Sequence, residues 1–142
     1  MITTFEFGTP AYDESVRLRH DILREPLGMV FYAEDLAKEY DQIHIGYYNE
    51  NAVMVGVLIL HDYGNNIVKM RQVAVAKSQQ GTGVGKKMVA FSEVYARQNG
   101  FTKMILHARE VACTFYDKLD YNRIGEQFDE VNIPHFKMEK EL

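Results

Sequence analysis

The chain has 142 residues, 46% of them hydrophobic and 25% charged, with a net charge of −4 and one cysteine, Cys113. That composition excludes disordered, collagen-like and coiled-coil chains, and the length suits a single domain over residues 1–142. The acid excess argues against a nucleic-acid partner, the lone thiol excludes a disulfide and a cysteine-cluster zinc site, and no apolar run is long enough for a membrane helix.

Glu6 lies early and no basic-then-apolar block precedes it, so the start does not read as a signal peptide and a cytoplasmic location is expected. Ile2–Phe7 reads as a first strand, stopped by Gly8. Thr9-Pro10 supplies an N-cap and a first-turn proline for a helix in which Ala11, Ser15, Leu18 and Ile22 recur at helical spacing. Pro26 should end that helix near Arg24. Leu27–Phe31 is an apolar loop, and Tyr32–Tyr40 a shorter second helix.

The period then changes. His44–Tyr48, Val53–His61 and Asn66–Val75 are β-rich runs separated by Asn- and Asp-containing turns, which predicts an antiparallel meander. Val53–Leu60 is apolar on both faces, as in a central strand covered on both sides. After the glycine-rich segment Gly81–Gly85, Val84, Met88, Phe91 and Tyr95 mark a helix face that ends at Asn99-Gly100. Lys103–His107 is a strand, Val111–Leu119 a helix, and Arg123–Phe128 and His135–Glu139 are the last strands. The order predicts an α/β sandwich with a mixed, mostly antiparallel central sheet flanked by helices.

The informative stretch is Val73-Ala74-Val75 running into Gln80-Gly81-Thr82-Gly83-Val84-Gly85-Lys86. Alternating glycines at a helix start leave backbone N–H groups uncovered, making a nest for anionic oxygens. The plain alternative is a flexible strand-to-helix turn. Lys86 and Lys87 bear on the choice: cations in a first turn oppose the helix dipole at ~0.3–1 kcal/mol each, and an anionic ligand would resolve that conflict. The ligand is not that of a P-loop, which needs Gly at position 80 and Ser or Thr at 87, where Gln80 and Lys87 stand. Nor does the dinucleotide fingerprint fit, because Lys86 or Met88 occupies its last glycine position.

Gln80-Gly81-Thr82-Gly83-Val84-Gly85 resembles the Arg/Gln-x-x-Gly-x-Gly/Ala signature of the GCN5-related N-acetyltransferases (GNAT). Phe115-Tyr116-Asp117-Lys118-Leu119 resembles that family's tyrosine helix. Leu18-Arg19-His20 and Ile133-Pro134-His135 with Met138 resemble small bacterial members, so the similarity runs from about Val16 to Lys140. Asp120 and Asn132 stand where the family usually has glycine; both residue types tolerate left-handed geometry. The resemblance implies a GNAT-like sandwich that binds acetyl-CoA, with Val73, Ala74, Val75 and Gln80 through Lys86 (Gly81, Thr82, Gly83, Val84, Gly85) at the cofactor. It also implies Tyr116 as the acid that protonates the departing thiolate, and no metal. The acceptor is then an amine, on a small molecule or a peptide, and a homodimer through the last strands is expected.

A phenol with pKa ≈ 10 stays protonated at neutral pH, which suits that role, although Tyr is common in this chain and a packing role is the plain alternative. A backbone N–H on Val73-Ala74-Val75 is the expected oxyanion donor. No base stands out: Lys69, Met70, Arg71 and Gln72 offer no acid, and His44, His107 and His135 read as structural histidines able at most to relay a proton. Cys113 reads as a buried apolar thiol rather than a nucleophile. The acceptor is expected near Leu23–Phe31 and Asp129–His135, where Glu25, Asp129 and Glu130 can hold a cationic amine. The competing function is a catalytically silent acyl-CoA-binding regulatory domain, supported by the missing base.

Overall fold

The apolar alternation of the middle third folds into consecutive antiparallel strands β2 (Ile43–Tyr48), β3 (Met54–Asp62) and β4 (Ile67–Val75), as the spacing predicts. In the computed structural model, which describes residues 1–142, β1 (Ile2–Phe5) pairs with β2, and β5 (Lys103–Arg109) runs parallel to β4. β6 (Asn122–Glu130) and β7 (Ile133–Glu141) form a terminal hairpin. The sheet order is β1-β2-β3-β4-β5-β7-β6, so β7 inserts beside β5 and leaves β6 at the edge. Pro134 does not delay β7, because it is the strand's second residue, where a missing N–H is tolerated.

Helix α1 (Pro10–Arg19) starts on Thr9, whose hydroxyl accepts from the Tyr12 N–H. The α-helix stops before the expected Arg24: a π-helical turn, His20–Arg24, and a 3-10 turn, Glu25–Leu27, carry the chain to Pro26 and Gly28. The second helix shortens likewise to α2 (Ala33–Ala37) followed by a 3-10 turn, Lys38–Asp41. The first strand ends early because the Glu6 carbonyl accepts from Thr9 Oγ1, turning the chain.

α1 and the π-helical turn after it cover one sheet face, where Ala11, Leu18 and Ile22 pack against Met54, Val57 and Ala74. On the other face, α3 (Val84–Gln98) and α4 (Cys113–Asp117) pack on Leu58, Leu60, Val68, Met104 and Leu106. β3 is therefore buried on both sides, and each such Leu or Val contributes ~1.5–3 kcal/mol relative to exposure. Gly56 sets the spacing of the layers: a Cβ there would lie 2.7 Å from Met88 Sδ and 3.0 Å from Val84. α3 ends at Gly100 (φ 85°), with the Phe101 N–H bonded to the Ala96 carbonyl. No helix is long and apolar enough to cross a membrane.

Candidate active site

β4 and β5 pair only through Ile67–Lys69 and Lys103–Ile105. Beyond that they part, each held by its outer neighbour, β3 or β7, and a cavity of about 650 Å³ opens between them. Its walls come from both strands, the π-helical turn after α1, α4 and the β6–β7 hairpin.

β4 carries a bulge at this cavity. Two residues, Gln72 and Val73, lie opposite Leu58 alone, and Gln72 takes a left-handed φ of 56°. A bulge leaves one residue outside the ladder and re-aims the chain, and here both bulged residues line the cavity. A buried network holds it. Arg19, fully buried, donates two bonds to Glu39 (2.9 and 2.7 Å) and a third from Nε to Gln72 Oε1 (3.2 Å). Tyr12 and Arg71 also donate to Glu39. Burial would raise the Glu39 carboxyl, but Arg19, Tyr12 and Arg71 together outweigh it and hold the group below its usual range.

The glycine turn has the geometry that the alternation predicts. Gly81 and Gly83 sit at φ 78° and 92°, and Gly83 is the N-cap of α3. The N–H groups of Gly81, Gly83, Val84, Gly85 and Lys86 donate to no protein acceptor, while Lys86 and Lys87 are exposed beside them. Gln80 braces this loop, donating to the Val75 carbonyl at 2.9 Å, and it also reaches the cavity wall. The Val84 side chain is buried in the core, so only its backbone can face a ligand, and Ala74 is buried on the α1 side. Of the residues expected at the cofactor or as the acid, Val73, Gln80 and Tyr116 line the cavity directly.

Tyr116 is buried, stacked edge-on against Phe115 and Tyr121, and lines the cavity. Burial alone pushes its phenol above the usual range; no charge or hydrogen bond acts on it. The neighbouring Tyr121 contrasts with it, since its hydroxyl is committed to Glu93 at 2.8 Å. Cys113 is fully buried, and burial pushes its thiol up, away from the thiolate a nucleophile needs. Asp120 stands at φ 70° and Asn132 at φ 61°, so both take the left-handed geometry of the glycines they replace.

His107 and His135 reach the cavity, whereas His44 lies elsewhere, its Nε2 against the Glu39 carbonyl at 3.0 Å. Glu130 joins the first two: Oε1 is 3.0 Å from His107 Nδ1, and Oε2 is 3.6 Å from His135 Nε2. Burial would raise the Glu130 carboxyl, but the His107 hydrogen bond and the charges of His107, His135 and Lys69 hold it below its usual range. An ionised carboxylate only accepts, so His107 Nδ1 donates and a neutral ring keeps its lone pair on Nε2. Three strands assemble this group, and no local motif announces it.

The wall is otherwise cationic, with Arg24, Lys69, Arg71 and Arg109. Glu25 and Asp129, expected to hold a cationic amine, are not part of it, and Glu130 alone of the three is. Glu25 sits in the 3-10 turn just past Arg24, and Asp129 precedes the residue that points inward on β6. Three of these cations have a sequence signal, the two-residue spacing Lys69/Arg71 and His107/Arg109 that puts each pair on one strand face, whereas Arg24, on the π-helical turn, has none.

The acetyltransferase (GNAT) domain family matches residues 22–142. The chain is 33% identical over 99 residues to the protein YyaT of Bacillus subtilis, covering 70% of this chain and 66% of that protein, so it spans just under two thirds of that relative. A crystal structure from Lactobacillus plantarum superposes with a TM-score of 0.86 at 23% identity, covering 99% of this chain and 98% of that one. An aminoglycoside 6′-N-acetyltransferase complexed with coenzyme A has a TM-score of 0.81 at 18% identity, over 99% of this chain and 96% of that one. At these identities the two structural matches establish the shared fold.

Proposed function

Because the chain belongs to the GNAT acetyltransferase family, we propose that it moves an acetyl group from acetyl-CoA to a primary amine by direct attack, with Tyr116 as general acid. The observation that carries this reading is the buried Tyr116, whose hydroxyl has no protein partner and which lines the cavity between β4 and β5. The free N–H groups at the start of α3 suit the pyrophosphate of the cofactor. The acetyl end then lies along Val73-Ala74-Val75, where the bulge frees backbone donors for the oxyanion. His107, oriented by Glu130, serves as the base that takes the amine proton through Nε2. That base weakens the competing reading, a silent acyl-CoA-binding regulatory domain. The exposed edge strand β6 is where a second copy would pair in the proposed homodimer.

A thermal-shift series tests the ligand class. Acetyl-CoA and CoA are expected to raise the Tm, since ligand at a hundredfold over Kd stabilises the folded state by ~2.7 kcal/mol. ATP and NAD are expected to leave it unchanged. A shift with ATP as large as that with CoA would remove the assignment.

Glycine substitutions locate the cofactor. A side chain at Gly83 would be strained by its φ of 92°, so that position cannot separate binding from folding. Gly85 can: its backbone is ordinary, and a Cβ would touch the Phe115 ring at 3.4 Å, a normal contact that fills the gap between α3 and α4. Gly85→Ala is expected to keep or slightly raise the Tm while weakening CoA binding about tenfold, as read by calorimetry, because Cβ crowds the anion nest. Unchanged CoA affinity would make the turn purely structural.

A further inference from the structure

Building on the acetyltransferase reading, we propose that the acceptor is a small amine that also carries an anionic oxygen group, carboxylate or phosphate, bound by Arg24 and Arg109 beside Lys69. The charge of the cavity wall carries the argument. Arg71 is already engaged, at 3.0 Å from Glu39 and 2.8 Å from Gln42. Glu130 is the one carboxylate of the wall, hydrogen-bonded to His107 at 3.0 Å. Arg24 and Arg109 have no carboxylate and no side-chain hydrogen bond, and Lys69 meets only His107 Nδ1 at 3.5 Å and the Tyr63 ring, 5.6 Å from its centroid. With the Nδ1 proton directed at Glu130, that ring atom offers Lys69 no lone pair, so three cations, Arg24, Arg109 and Lys69, stand against one carboxylate, Glu130, and leave the wall net positive.

This is a local concentration, because the chain as a whole carries −4. Its members also crowd one another: burial first, then repulsion from Arg19, Arg109 and Arg71, lowers the Arg24 guanidinium below its usual range. Such repulsion is relieved by an anion bound among them. Arg24 Cζ lies over the Phe31 ring, 4.7 Å from its centroid, a cation–π contact that leaves the guanidinium N–H groups without a protein acceptor and able to make a forked contact to two oxygens. The cofactor's phosphates do not fill this role in the proposed geometry, because their glycine turn contributes only Gln80 to the wall. Glu130 and His107 stand in the same wall, so an acceptor with an ammonium at one end and an anion at the other meets a complementary charge at each.

The test uses the full chain, acetyl-CoA and matched amines: amino acids against their amides, and phosphorylated amino alcohols against the free alcohols, with polyamines as the opposite case. Thiol release is expected to give at least one anionic member a kcat/KM ten times or more that of its uncharged partner, and the better arm identifies carboxylate or phosphate. Arg24→Gln and Arg109→Gln are each expected to raise KM for that member tenfold or more, with acetyl-CoA affinity within twofold of the unmodified protein. The proposal falls if no anionic member exceeds its partner, if polyamines are preferred, or if the variants raise KM for both partners alike. Failure of acetyl-CoA to bind the unmodified protein would instead overturn the acetyltransferase reading itself.

Discussion

Tyr116→Phe is expected to lower kcat by ~10²–10⁴, or somewhat less, with little change in CoA affinity. The ring and its contacts with Phe115 and Tyr121 are retained, and the lost hydroxyl bonds to no protein group, so nothing is orphaned by its removal. Burial makes the phenol a weaker acid than usual, and a thiolate with a pKa around 8.5, on the cysteine scale, departs tolerably well unaided. Both facts favour the lower part of that range. CoA affinity is spared because the hydroxyl acts as charge develops on sulphur, in the transition state. Tyr95→Phe, on the half-exposed side of α3, is the control and is expected to leave turnover unchanged. Normal turnover in a folded Tyr116→Phe would pass the acid role to water or to His107.

Glu39→Leu is expected to destabilise the fold by about 3–5 kcal/mol, because it leaves Arg19 as an uncompensated charge with no exposed surface. For a chain of this size the Tm should fall by roughly 10 °C or more. Arg19→Met combined with Glu39→Leu is expected to recover a large share of that loss, since removing both charges costs far less than removing one. A double variant no more stable than Glu39→Leu would show that packing rather than charge dominates. The pH dependence follows the direction of the Glu39 shift. Its carboxyl is depressed in the folded state, so its contribution is present above the ordinary carboxylate range of ~4.3 and fades as pH falls through the lower folded value. Acid unfolding of the unmodified protein should therefore be steeper below about pH 4 than that of the double variant. The consequence reaches the site, because Arg19 also holds Gln72 in the β4 bulge.

Contiguous features were legible in the chain. Thr9-Pro10 and Asn99-Gly100 mark helix ends because capping is decided within a turn or two. The glycine turn and the Phe115-Tyr116 helix are likewise local; the turn stands where its spacing predicts, and the helix falls within the expected Val111–Leu119 but is α-helical only over Cys113–Asp117, with Asp120 taking the left-handed cap that glycine would otherwise supply. The break of α1 at Arg19 was not legible, since the residues around His20 have no local helix breaker. The chain changes its turn there where Arg19 meets Glu39 and Gln72 across the fold.

By itself, then, the sequence determined the class of sheet, the geometry of the glycine turn and the candidate acid, because periodicity, glycine conformation and short motifs act over a few neighbouring residues. Only the tertiary structure brought together the residues of the proposed base and set the charge of the cavity wall. His107, Glu130 and His135 belong to three strands, and Glu130 meets His107 because β7 inserts between β5 and β6. Arg24 and Arg109 come from opposite sides of a cavity that exists because β4 and β5 cease to pair after three residues. Strand order and strand divergence are set by which distant surfaces bury one another, and no window along the chain contains that information.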